Sequence, residues 1–179
     1  MKYTGGFKCD IKAKEIMKHL IEDIWFSAFS ITYDTDNENN PMALIDTIFT
    51  ATSNSGKQYK YAIELKERPQ YEHNKYDWML ELPKYKILYN TQYISGYTSA
   101  YLNTFKDDIY ALWTIKDIDK CKKESTVYAN KTTQGNDNTI INKLSYLLPF
   151  NNATITGYTN EQEYISNNSR RKIDRTTNR

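Results

Sequence analysis

Three side chains in the stretch ALIDTIFTATSNSGKQYKYAIELKER, residues 43–68, are of kinds that do chemistry. They are Asp46, set among apolar residues, and the pair Glu64 and Lys66 that closes a second apolar run. The stretch reads as two strands, 42–52 and 58–66, joined by the turn SNSGK. Side chains alternate along a strand, so Glu64 and Lys66 share one face and Leu65 takes the other. A suitable hairpin register brings Asp46 beside them, and two carboxylates and an ammonium then converge at one sheet edge. Hard oxygen donors of this kind suit Mg²⁺ or Mn²⁺, which keep several waters and take a substrate phosphate as a further ligand. The backbone carbonyl of Leu65 offers one more oxygen. A metal on Asp46 and Glu64 would polarise a phosphodiester and acidify a bound water. Lys66 beside that water could orient or deprotonate it, or stabilise the charge of the transition state. Without a cation the two carboxylates repel, so the arrangement makes physical sense chiefly as a cation cage.

The elements that must position these groups can be read on either side. Residues 10–24 place Ala13, Ile16, Met17, Leu20, Ile21 and Ile24 at helical spacing, with Asp10 as N-cap. WFSAFSITY, 25–33, reads as a strand, and DTDNENNP as the turn before 42–52. YDWMLELPKYKILY, 76–89, reads as a helix that either begins near Pro83 or kinks there. SAYLNTF and IYALWTI, 99–105 and 109–115, flank the hairpin turn KDD. Beyond residue 120 the pattern predicts a strand at 125–131, a turn at 134–139 and a helix or strand at 140–150. The expected order is α-β-β-β-α-β, an α/β (α+β) fold with a central mixed sheet flanked by helices.

Asp46, a step of 18 residues, Glu64-x-Lys66 after an apolar run, and this order of elements together resemble the PD-(D/E)XK nuclease superfamily, also called restriction-endonuclease-like. The likeness covers roughly residues 10–118. It implies a Mg²⁺-dependent deoxyribonuclease with Asp46, Glu64 and Lys66 as catalytic residues and DNA as partner. Ile45 stands where the family's motif has proline. Many members add an acid from the first helix; Glu15 is the candidate here, although it lies opposite the apolar stripe, as does Glu22, with Asp23 nearer its edge. An isolated Glu-x-Lys on a strand is commonly a surface ion pair, and the apolar setting of both strands argues against that reading here. Two alternatives stand beside the nuclease: the same fold without catalysis, serving as a nucleic-acid- or protein-binding accessory factor, and an unrelated α+β interaction domain.

The 179 residues suit one domain, 1–165, with a C-terminal extension from 119 and a basic tail at 166–179. The net charge of +2 does not announce a nucleic-acid binder. Candidates for DNA backbone contacts are Lys84 and Lys86, with Arg170, Arg171 and Lys172 in the tail. Glu81 and Lys84 otherwise read as a solvated helix face. Cys9 and Cys121 form no metal or disulfide pattern, and neither a signal core nor a membrane span is visible, so a reducing cytoplasm is expected. Cutting both strands of a duplex at once needs two sites, which suggests a homodimer. Tyrosine is abundant at 16 copies, in keeping with A/T-rich codons. Tyr71, Tyr76, Tyr89, Tyr93, Tyr97 and Tyr101 could stack on bases, although packing explains most of them. His19 and His73 are expected at the surface, and Trp25, Trp78 and Trp113 in the core. Neither a nucleophile elbow nor a phosphate-binding glycine loop is present.

Overall fold

The computed structural model describes residues 14–38, 43–130 and 139–159. Helix α1 covers residues 14–25, regular to residue 19 and continuing as a π-helical turn over Leu20–Trp25. Its apolar stripe buries Met17, Leu20 and Ile21 against one face of a six-stranded sheet. Asp10 and Ala13 lie outside the described residues. The strand expected from residue 25 forms only as β1, Ser30–Tyr33. The aromatic residues before it turn inward instead: Phe26 packs on Phe29, Phe49 and Tyr61 at ring distances of 5.4, 5.9 and 5.0 Å. Burial of those rings outweighs their strand propensity.

After a one-turn helix α2, Thr35–Glu38, β2 (Thr47–Thr52) and β3 (Gln58–Arg68) form the expected hairpin. The helix expected over 76–89 divides. Trp78–Glu81 is strand β4, with Trp78 and Leu80 buried in alternation, and α3 runs from Leu82 to Tyr93 with Pro83 in its first turn. Proline is tolerated there because the first amides of a helix have no partner inside it. Strands β5 (Thr98–Phe105) and β6 (Ile109–Thr114) form the second expected hairpin. Asp108 takes a positive φ of 55° in its turn, a conformation that aspartate accepts more readily than most residues.

Helix α4, Ile115–Cys121, was not expected. The Thr114 hydroxyl donates to Asp117 Oδ2 at 2.7 Å and accepts from the Asp117 N–H at 3.4 Å, a capped first turn. Strands β7 (Lys123–Asn130) and β8 (Ile140–Leu148) join β4 in a second sheet of order β4-β8-β7. The turn expected at 134–139 lies almost wholly outside the described residues. A short strand β9, Ile155–Tyr158, completes the main sheet, whose order is β1-β2-β3-β5-β6-β9. All neighbours in it are antiparallel except β3 and β5, which run parallel across the β4–α3 connection.

The fold is therefore α+β around a central mixed sheet, with the expected α-β-β-β-α-β order plus the inserted β4. One face packs on α1. The other carries α3, α4 and the small sheet, with Trp78 and Trp113 in its core. No helix among the described residues is long and apolar enough to cross a membrane. Leu102, fully buried in β5, tests this packing. Leu102→Ala should cost about 2–5 kcal/mol in equilibrium urea unfolding, while Ile94→Ala, 78% exposed after α3, should change stability by less than about 0.5 kcal/mol.

Candidate active site

The β2–β3 ladder runs from Thr52 opposite Gln58 to Thr47 opposite Ile63. One step further puts Asp46 opposite Glu64, on the same face of the sheet. There β2 has already bent away over residues 44–46. The Leu65 N–H, facing the vacated side of β3, donates to Asp46 Oδ2 at 2.7 Å. A strand residue turns its N–H and its carbonyl toward the same neighbour, so the Leu65 carbonyl faces that gap as well. Lys66 follows two residues after Glu64 on the shared face, half-buried.

Lys84, in the first turn of α3, spans the site. Its ammonium lies 2.8 Å from Glu64 Oε1 and donates to the Leu44 carbonyl at 3.1 Å. Glu64 Oε2 is buried and, among the described residues, without a hydrogen-bond partner. Burial, then the charge of Asp46, pushes the Glu64 carboxyl from an ordinary 4.5 up to about 7, against the opposing pull of Lys84 and Lys66. Burial also raises Asp46, opposed by the Leu65 hydrogen bond and by Lys84, Lys14 and Lys66. Lys66 is held below the usual lysine value, first by burial and next by Arg68, with Glu81 and Glu64 opposing.

Arg68 continues the charged row and is fixed in place. It donates to Asn103 Oδ1 at 3.1 Å, to the Met79 carbonyl at 3.0 Å and to the Tyr101 hydroxyl at 3.2 Å. Tyr101 donates in turn to the Met79 carbonyl at 2.8 Å. Lys143, from β8, pairs with Glu81 at 2.8 Å beside this row.

The expected trio Asp46, Glu64 and Lys66 thus meets on one face. Glu15 does not join it: the side chain is exposed on α1, and among the described residues no three His, Cys, Asp or Glu side chains cluster as a metal would require. The apolar stripe turns α1 so that Glu15 faces away from the sheet. Lys84 and Glu81 are not simply a solvated helix face: the Lys84 ammonium pairs with Glu64, and Glu81, at the start of α3, pairs with Lys143. Lys86 is exposed on α3, and Arg170, Arg171 and Lys172 lie outside the described residues. Tyr101 belongs to the core rather than to a stacking surface. His19 and His73 make local pairs with Asp23 and Asp107, at 2.7 and 2.6 Å. The inward reach of Lys84 escaped the sequence reading, although a lysine directly after a helix-starting proline was a usable signal. Arg68 lay in plain sight as the next residue on the Glu64–Lys66 face.

The donor set fits a hard divalent cation. Asp46 and Glu64 supply carboxylate oxygens, one of them buried and unsatisfied, and Mg²⁺ sites commonly use only one or two carboxylates plus water and substrate phosphate. Metal-free protein should show the electrostatic cost of the acid pair. The folded state keeps a proton on Glu64 that an unfolded glutamate has lost, so stability falls as pH rises from about 4.5 to about 7 and levels off above. In EDTA, Glu64→Gln should remove a decline of the order of 3 kcal/mol across that window. Urea unfolding at several pH values reads it, and an unchanged slope in the variant would refute the cause assigned.

No family model matches the sequence, and no curated protein matches it. Among solved structures the chain is similar to the Holliday junction resolvase Hjc of the archaeal hyperthermophile Archaeoglobus fulgidus, determined at 1.6 Å. The TM-score is 0.45 and the identity 9%, over 82% of this chain and 91% of that one. The element order and mixed central sheet described above are consistent with a restriction-endonuclease-like fold.

Proposed function

We propose that this protein is a divalent-metal-dependent nuclease of the PD-(D/E)XK type, hydrolysing DNA phosphodiesters at Asp46, Glu64 and Lys66. The observation that carries the reading is the acid pair: Asp46 and Glu64 set side by side, Glu64 Oε2 buried without a partner among the described residues, and half-buried Lys66 on the same face. Burying two like charges together is costly unless a cation completes them. Asp46 and Glu64 are assigned to hold Mg²⁺ or Mn²⁺, with the Leu65 carbonyl as a further oxygen. When bound, such an ion polarises the phosphate and makes a water nucleophilic near neutral pH.

Lys66 is assigned to position the attacking water or the scissile phosphate. Burial lowers its pKa, which eases proton exchange, and in its ammonium form it complements the charge of the phosphate. Lys84 fills part of the missing charge in the metal-free protein by its contact with Glu64 Oε1. A substrate phosphate entering the site offers that ammonium a second partner. Two copies would be needed to cut both strands, so the reading includes a homodimer. A second reading, a nucleic-acid- or protein-binding factor without catalysis, is favoured by the same Lys84–Glu64 pair, which satisfies one carboxylate oxygen with no metal at all.

Two measurements separate these readings. With Mg²⁺ or Mn²⁺, wild type should cut plasmid, linear or branched DNA, while Asp46→Ala and Lys66→Ala lose at least about 10²–10³ in rate. Equal residual cutting by all three would overturn the assignment. Mn²⁺ should also raise the melting temperature of wild type, by roughly 2.7 kcal/mol of added stability at a hundredfold excess over Kd, and leave Asp46→Ala unmoved. The binding-only reading expects no Mn²⁺ shift in either protein.

A further inference from the structure

A cleft of about 610 Å³ opens beside α3, on the side away from Lys84. Tyr85 and Tyr146 form its floor, edge to face at 4.8 Å, and Lys86, Tyr89 and Asn90 its rim. Between the floor rings sits the Lys122 ammonium, 4.3 Å from the Tyr85 ring and 4.8 Å from that of Tyr146. It donates to the Tyr85 hydroxyl and to Asp119 Oδ1, each at 2.7 Å. Asp119 is therefore already matched, and Lys86, exposed at the rim, leaves the cleft a net positive charge.

Along the outer side of α3, Tyr89 and Tyr93 remain 40% and 52% exposed, with ring centroids 4.5 Å apart. Folding gains nothing from leaving neighbouring rings in water, and contiguous exposed aromatic surface marks a contact site. Tyr89 is tilted against Tyr85, at 5.8 Å, and against Tyr93 rather than stacked on either, and stays 40% exposed. A partly exposed ring beside a lysine is the chemistry that binds an unpaired base, which stacks on the ring while the backbone follows the charge. Asn90 adds an amide that can both donate to and accept from a base edge. A base inside a duplex has both faces covered by its neighbours, so a concave aromatic site selects against paired DNA. Tyr89 lies five residues beyond Lys84 on the same helix, about 7.5 Å along its axis and turned about 140° around it, so α3 joins the cleft on one side to the acid pair on another.

We propose that this cleft receives an unpaired nucleotide of the DNA substrate, stacked on Tyr89 with its phosphate at Lys86, and so directs the nuclease to DNA with single-stranded character. The inference rests on the nuclease reading for the site it serves, but its test does not depend on cleavage. The probes are a short fluorescein-labelled DNA single strand and the blunt duplex of the same sequence, followed by anisotropy in EDTA. Tyr89→Ala should weaken single-strand binding about tenfold and duplex binding less than about twofold. Tyr89→Phe, which keeps the ring, should restore wild-type affinity. Lys86→Gln should flatten the salt dependence of binding by about one phosphate contact. Both positions are exposed, and unchanged melting temperatures would show that the variants fold. Equal losses for single strand and duplex, or no loss in Tyr89→Ala, would overturn the proposal. A protein that cuts DNA by Lys66 yet binds single strands as well without Tyr89 refutes this inference alone. One that never cuts DNA but shows the Tyr89 effect refutes only the nuclease reading.

Discussion

The hydrogen bond from the Leu65 N–H to Asp46 is where a strand becomes a site. At 2.7 Å the carboxylate takes the place of the next acceptor in the β2 ladder, and the backbone bends away over residues 44–46. A buried N–H left without an acceptor costs about 1–3 kcal/mol, so the bend needs a side-chain acceptor at this position. Isoleucine or valine there would continue the apolar pattern and strand the amide. The same bond aims Asp46 at the face that carries Glu64. The Asp46 charge that adds to burial in raising Glu64, and the gap before the Leu65 carbonyl, follow from that placement.

Glu64, Lys66 and Arg68 then form a charged row on a largely buried sheet face, and each finds compensation from a different element. Lys84 comes from α3, the Glu81–Lys143 pair from β4 and β8, and Asn103 and Tyr101 from β5. Desolvating ions is costly, and removing one member of such a set leaves its neighbours exposed to that cost. The small sheet is therefore part of the electrostatics of the site. It brings Lys143 and Glu81 to where both act on Lys66 in opposite directions. Arg68, tied by three hydrogen bonds, acts as a fixed charge rather than as a reaching side chain.

What could be read from the sequence was what short-range periodicity encodes. The bend at 44–46 and the Leu65 bond that holds Asp46 were not legible, whereas Glu64 and Lys66 share a face by alternation and Asp46 falls opposite Glu64 by hairpin register, both local. The buried stripe of α1 and the two hairpins were legible for the same reason. Strand β4 was not, because Trp78 and Leu80 alternate for only four residues before Pro83 starts α3, and a helical period absorbs so short a run. Helix α4 was missed although Thr114 and Asp117 stand at capping-box spacing. Glu15 failed because a helix's rotation is set by what it packs on, and Met17, Leu20 and Ile21 turn that acid to solvent. The role of Lys84 depends on α3 lying across the end of β2, a contact between segments 40 residues apart.

The two faces of β3 and β5 divide the work of the molecule. Toward α1, Ile63, Ala100 and Leu102 pack with Phe49 and Leu112 in an apolar layer, with Glu67 at its margin beside Ile16. Toward α3, the same strands present Glu64, Lys66, Arg68 and Asn103. Alternation makes this possible, since each residue that weakens one face leaves the other untouched. An acid raised toward neutrality and a lysine depressed by burial are local conflicts that a sequence selected for stability alone would remove. They persist here in one strip, backed by a well-packed layer that can carry their cost. An exposed ion pair such as Lys120–Asp117 carries the opposite signature, since its partners lower the acid and raise the lysine, whereas burial raises Glu64 and lowers Lys66.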